Sequence, residues 1–237
     1  MKKVYTNEAL VKRNSRIARI TMLGGLLVLA AGMFISFQMP DQFALSLGAL
    51  LFGFVLSQIG IYFTNRWGRR PRLDELLNQG LKGLDERFKL YHYLKPASHI
   101  LVGPAGVWVL VPYYQRGTIR YSNGRWRQVG GGLFRTYMKI FAQEGIGRPD
   151  LEIAAEIEGL KSYLQSKLPE GEVPPVYGAL VFTHPDAIID IDPEENPPAE
   201  TVHLSKLKDM IRKRAKEKAL SMEKALTIQD AIEEAIV

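Results

Sequence analysis

The sequence predicts an α/β chain in which two transmembrane α-helices precede an α+β domain built on a mixed sheet. Three observations lead there. Residues 20–39 and 42–65 carry no charge, and at about 1.5 Å per residue each run is long enough to cross the roughly 30 Å hydrocarbon core of a bilayer as a helix. From residue 73 onward the apolar residues recur first at helical and then at strand spacing, in the order helix, strands, helix, strand, helix. None of the 237 residues is a cysteine, which excludes disulfides, thiolate metal sites and cysteine nucleophiles.

Lys2, Lys3, Lys12, Arg13, Arg16 and Arg19 make residues 1–19 a basic N-terminal arm. Arg66, Arg69, Arg70 and Arg72 follow the second apolar run, whereas Pro40-Asp41 between the runs brings a helix stop and one acid. Positive charge collects on the cytoplasmic side. Residues 20–65 are therefore expected as a two-helix hairpin in the cell membrane, with both termini and the following domain in the cytoplasm. A cleaved signal peptide would need a shorter apolar core and a small-residue exit, which Ser36-Phe37-Gln38-Met39-Pro40 is not. Ala49, Gly53 and Ser57 recur every four residues along the second helix. Small residues at that spacing admit a close helix neighbour, either the chain's own first helix or a second copy in a homodimer. Trp67 suits the membrane interface.

Pro71 ends the second helix, and Leu76, Leu77, Leu81, Leu84 and Phe88 mark one face of a helix starting near Leu73. After Pro96 come a strand at 100–102, a turn at Gly103-Pro104-Ala105-Gly106 and a strand at 107–111, apolar on both sides as in a covered sheet centre. Residues 118–122 and 125–129 pair through Asn123-Gly124, a strong two-residue hairpin signal. Gly130-Gly131-Gly132 is a break and not a phosphate loop, because no Gly-Lys-Ser/Thr follows. Leu151, Ala154, Ile157, Leu160, Leu164 and Leu168 outline an amphipathic helix, and 176–183 reads as a buried strand. Residues 185–198 are acidic and proline-rich; Asp190, Asp192 and Glu194 alternate like calcium ligands, but Glu195 stands where the turn glycine is needed, so a solvated loop is expected. A basic helix covers 204–220, and a last helix starts at Thr227 with Asp230 completing its capping box. Residues 73–185 thus form an α/β domain on which 186–237 packs.

The stretch Ser98-His99-Ile100-Leu101-Val102-Gly103-Pro104-Ala105-Gly106-Val107-Trp108-Val109-Leu110 resembles the core of the nuclease-related domain (NERD) family, a branch of the restriction-endonuclease-like PD-(D/E)XK fold. That core reads Asp-His-hydrophobic-hydrophobic-Val-Gly-Pro-x-Gly-Val-hydrophobic-Val-Ile-Glu-x-Lys-Asn. His99, Gly103, Pro104 and Gly106 match it, and the resemblance extends more loosely over residues 73–185. It implies a restriction-endonuclease-like core. The family's metal-binding Asp falls on Ser98, its Glu on Val111 and its Lys on Tyr113, and a further Glu on the first helix falls near Glu75 or Asp74. The resemblance therefore implies a nuclease-like domain without its chemistry.

Residue chemistry points the same way. Phosphodiester cleavage on such a fold needs carboxylates that hold Mg²⁺, and no acid lies between Glu86 and Glu144. No catalytic residue, metal or other cofactor is expected; an active magnesium nuclease would need relocated ligands such as Glu144 or Glu152. His99 is not a base for Ser98, because successive strand residues face opposite sides. The four histidines (92, 99, 184 and 203) include no i, i+4 pair; turn and cap roles suffice for His184 and His203.

Arg116, Arg120, Arg125, Trp126 and Arg127 are the best candidate binding surface. Arginines on paired strands can track phosphates while Trp126 stacks on a base. They can equally meet anionic lipid headgroups beside a tethered domain, or simply charge an edge strand. The expected function is that of a membrane-anchored, cytoplasm-facing, non-catalytic module. Nucleic acid, anionic lipid or another protein is its expected partner.

Overall fold

Small residues decide how the two apolar helices meet. The structure, a computed structural model, describes residues 2–130, 145–169 and 171–234. Helix α1 (Glu8–Gln38) and helix α2 (Phe43–Phe63) are joined by the 3-10 turn Pro40–Gln42. A Cβ on Gly25 would stand 2.8 Å from the backbone nitrogen of Ser57, and one on Gly60 2.8 Å from that of Met22. Ser46 Oγ donates to the Gly32 carbonyl at 3.1 Å. The stripe through Ala49, Gly53 and Ser57 is covered by the chain's own first helix, the first of the two neighbours the spacing allowed. Large side chains point away from this seam; Leu27, Phe37 and Phe43 are 70%, 78% and 70% exposed. Such outward apolar faces set these helices apart from core helices, and both are long and apolar enough to cross a membrane. After α2 a π-helical turn, Thr64–Gly68, brings the Trp67 carbonyl to the Ser15 hydroxyl at 2.8 Å.

That hairpin (8–72) is one compact unit, and, among the described residues, 2–7, 73–130 and those from 145 onward form the other. In the second unit β1 (Lys3–Thr6) precedes the hairpin, and α3 (Leu73–Gly80), β2 (Lys89–His92), β3 (His99–Gly103), β4 (Gly106–Tyr113), β5 (Gly117–Ser122) and β6 (Arg125–Val129) follow it. Then come α4 (Pro149–Lys167), β7 (Val176–Phe182), β8 (Ala187–Ile191), β9 (Glu200–His203), α5 (Leu204–Glu217) and α6 (Met222–Glu233).

Six strands make a mixed sheet in the order β1-β2-β3-β4-β7-β9. The β2-β3-β4 meander is antiparallel, and β7 returns parallel to β4 after α4. Strand β4 is apolar on both sides because both sides are covered. Val107, Val109, Val111 and Tyr113 pack with α4 and α6, and Trp108 and Leu110 pack with α3 and α5. Gly178 on β7 lets α4 lie close, since a Cβ there would come within 2.7 Å of Ile153 and Ile157. A second sheet, β6-β5-β8, holds the hairpin. Its turn residues Asn123 and Gly124 both have positive φ (53° and 65°), as the tight hairpin turn requires.

Several expectations are corrected. Residues 1–19 are not one arm: β1 pairs in parallel with β2, and α1 begins at Glu8. Helix α3 stops at Gly80, so Leu81, Leu84 and Phe88 are buried from the following turn region and not along a helix. The buried face of α4 runs through Ile153, Leu160 and Leu164, while Leu151 is 57% exposed. The acidic stretch 185–198 includes strand β8 beside β5. Helix α6 starts at Met222, where the Ser221 hydroxyl accepts from the Lys224 N–H, five residues ahead of Thr227.

Candidate functional site

Ser98 precedes β3 on the side of the sheet that faces α4. It gives its backbone N–H and its hydroxyl to the Glu156 carboxylate, at 3.1 and 2.7 Å. Tyr113, at the end of β4, donates its hydroxyl to Glu152 at 2.5 Å. Glu152 and Glu156 are one turn apart on α4 and share a flank of it. Burial, with the Glu152 charge beside it, pushes the Tyr113 hydroxyl well above the usual tyrosine range. Val111, between them in the pattern, lies in the apolar core. Both polar positions are thus engaged, as hydrogen-bond donors, by glutamates some forty to sixty residues away in sequence.

This donor set does not fit Mg²⁺, which takes oxygen ligands in near-octahedral array. Val111 offers none, and each of the two glutamates already accepts a hydrogen bond from a neutral hydroxyl. Among the described residues, no three His, Asp or Glu side chains are grouped to hold a metal. Glu144 lies outside the described residues.

The opposite side of the same strands carries a second polar cluster. On α3 the buried carboxylate is Asp74, not Glu75, and it accepts from the Tyr93 hydroxyl at 3.1 Å. His99 does face away from Ser98: its Nδ1 lies 2.8 Å from Nδ1 of His92, both rings being buried. His92 Nε2 lies 3.3 Å from Asn78 Oδ1, an acceptor, so that nitrogen carries a proton. In a neutral pair His92 Nδ1 then accepts and His99 Nδ1–H donates. Lys2 joins the cluster from the N-terminus, donating to the Asn78 carbonyl and Oδ1 at 3.2 and 3.3 Å. Burial lowers its pKa to about 8. The His92–Asn78–Lys2 connection was not visible in the sequence, because these residues meet only through the parallel pairing of β1 with β2.

The basic hairpin is two-faced. Ile119, Tyr121 and Trp126 point into the core, and the Trp126 ring packs 5.0 Å from Tyr121 and 5.7 Å from Phe182. Trp126 is 4% exposed and offers no stacking face to a base, which corrects the expected role. Arg116, Arg120, Arg125 and Arg127 are all exposed. The acidic stretch tempers their charge, contrary to expectation from the hairpin's own sequence. Asp190 on β8 pairs with Arg120 at 2.7 Å, and Glu195 accepts from the backbone N–H groups of Asn123 and Gly124 at the turn.

In comparisons with known proteins, no family model, curated protein or solved structure matches the chain.

Proposed function

We propose that this chain is an integral membrane protein that holds a restriction-endonuclease-like but non-catalytic domain at the cytoplasmic face as a binding module. The observation that carries the non-catalytic reading is the engagement of Ser98 and Tyr113 by Glu156 and Glu152. The helix–strand order α3-β2-β3-β4-α4-β7, with β7 parallel beside β4, supports the fold that the resemblance implies. Pairing of β1 with β2 supports the topology. A strand before the hairpin and one after it share a sheet, which requires an even number of crossings between them. The arginines and lysines at both helix ends favour the cytoplasm for that side.

A second reading is an active magnesium nuclease with relocated ligands, favoured by the two glutamates of α4 reaching the sheet at adjacent turns. The purified full chain incubated with single- and double-stranded DNA and RNA, in Mg²⁺ or Mn²⁺, separates the two. The non-catalytic reading expects intact substrates. Cleavage abolished by Glu152→Gln or Glu156→Gln would establish the nuclease.

A further inference from the structure

We infer that the outer face of the β6-β5-β8 sheet docks on an anionic bilayer surface, an inference that rests on the membrane anchoring proposed above. The register lays this face out in rows. Val129, Thr118 and Ile188 are cross-strand neighbours in one row, Arg127, Arg120 and Asp190 in the next, and Arg125 and Ser122 in the third. Cross-strand partners lie on the same side of a sheet, and the other side is the buried one that carries Ile119, Tyr121 and Trp126.

The middle row is unfavourable by itself. Arg127 stands directly opposite Arg120, and like charges in that relation destabilise a strand pair. Asp190 answers Arg120. Among the described residues, neither Arg125 nor Arg127 has an acidic partner, although both are exposed. Two uncompensated guanidiniums on a sheet whose other face is packed into the core are poised for an anion outside the chain.

The first row says which anion. Val129 is 41% and Ile188 60% exposed, next to the arginines and on the same face. A phosphodiester backbone has no use for aliphatic side chains, and with Trp126 buried no aromatic of the hairpin is left to stack on a base. The boundary between lipid headgroups and acyl chains takes both components, phosphate against arginine and hydrocarbon against valine and isoleucine. A domain tethered to a bilayer also meets that surface at high effective concentration, so a few contacts suffice.

Because the chain has no cysteine, Ile188→Cys places a single environment-sensitive fluorophore on this face. The full chain carrying it is reconstituted into nanodiscs of phosphatidylcholine alone or with about one-third phosphatidylserine, a fraction high enough to give the leaflet a marked negative potential. Docking predicts blue-shifted emission and shielding from a water-soluble quencher in the anionic discs only. Raising salt from about 0.05 to about 0.5 M reverses it. Arg125→Glu with Arg127→Glu weakens it at least about tenfold, and Arg125→Gln with Arg127→Gln weakens it less. Both pairs are exposed and keep the unfolding midpoint. Equal emission in the two kinds of disc overturns the inference while leaving the anchored, non-catalytic reading intact. A response to single-stranded oligonucleotide in neutral discs that exceeds the response to anionic lipid overturns it in favour of nucleic acid. A chain that stays soluble without lipid or detergent overturns the anchoring and the docking together.

Discussion

Ser98 directs both its N–H and its hydroxyl at Glu156, at 3.1 and 2.7 Å, so the residue ahead of β3 is a donor facing a carboxylate of α4. Reversing that polarity should be costly. Ser98→Ala removes one hydrogen bond to a charged acceptor, about 1.5–3 kcal/mol. Ser98→Asp removes it and sets two carboxylates against each other, so it should destabilise more than Ser98→Ala in thermal or denaturant unfolding. A Ser98→Asp chain as stable as wild type, or one rescued by Mg²⁺, would contradict this.

Strand β1 offers a cross-link. Val4 is the register partner of Leu90 in the parallel β1–β2 pair, and neighbouring strands lie within the Cα separation a disulfide tolerates, about 4.4–6.8 Å. Val4→Cys with Leu90→Cys, in a chain otherwise free of cysteine, should form an intramolecular disulfide in isolated membranes treated with an added copper–phenanthroline oxidant, which takes up the two electrons of the thiol pair. Exclusive formation of cross-linked dimers would show that β1 pairs elsewhere.

In the hairpin, a Cβ on Gly53 would meet the Leu29 nitrogen at 2.9 Å, whereas one on Gly48 meets nothing within 4 Å. Gly53→Leu should therefore loosen the helix pair by about 1–3 kcal/mol and Gly48→Leu should be silent, as judged by thermal stability in detergent. Equal effects would place the helix contact on another face.

Features written in local chemistry were legible in the sequence. The uncharged runs, the Gly103–Gly106 turn and Asn123-Gly124 depend on neighbours one to four residues away, and each falls where expected. Strands β1, β8 and β9, of four or five residues, are too short to show a period; β8 and β9 form beside the longer β5 and β7, and β1 beside β2, which is as short as itself. The glutamates were hidden by phase. Reading α4 through Leu151 and Ala154 turns Glu156 away from the sheet, whereas the buried series Ile153, Leu160 and Leu164 sets Glu152 and Glu156 beside the seam. That alternative series was present in the sequence, but only the sheet decides between them. Trp126 was misassigned because it was grouped with its neighbours Arg125 and Arg127, although strand alternation sets it on the apolar face with Ile119 and Tyr121 and the arginines on the other.

Alkaline pH should unfold the α/β unit. Burial, followed by hydrogen bonding to Glu233, raises the Tyr91 pKa, and burial next to Glu152 raises that of Tyr113. Folded values above the unfolded value of about 10 mean that this contribution is complete below pH 10 and is lost as pH rises further. Lys2 acts in the opposite sense. Its folded pKa of about 8 lies below the unfolded value, so stability gains between about 8 and 10.4. A midpoint-versus-pH curve of the full chain should rise shallowly and then fall above about pH 10. Tyr113→Phe should lower the plateau by about 1.5–3 kcal/mol and soften the fall; an unchanged alkaline limb in Tyr91→Phe and Tyr113→Phe would remove these residues from the account.

Manganese binding tests the non-catalytic reading most directly. The full chain in nanodiscs is titrated with Mn²⁺, and the free ion is followed by its paramagnetic resonance signal. With Ser98 and Tyr113 engaged by Glu156 and Glu152, the free signal should rise in proportion to added metal, in wild type and in Glu156→Gln alike. A stoichiometric site that disappears in Glu152→Gln or Glu156→Gln would mean that the two glutamates are metal ligands after all.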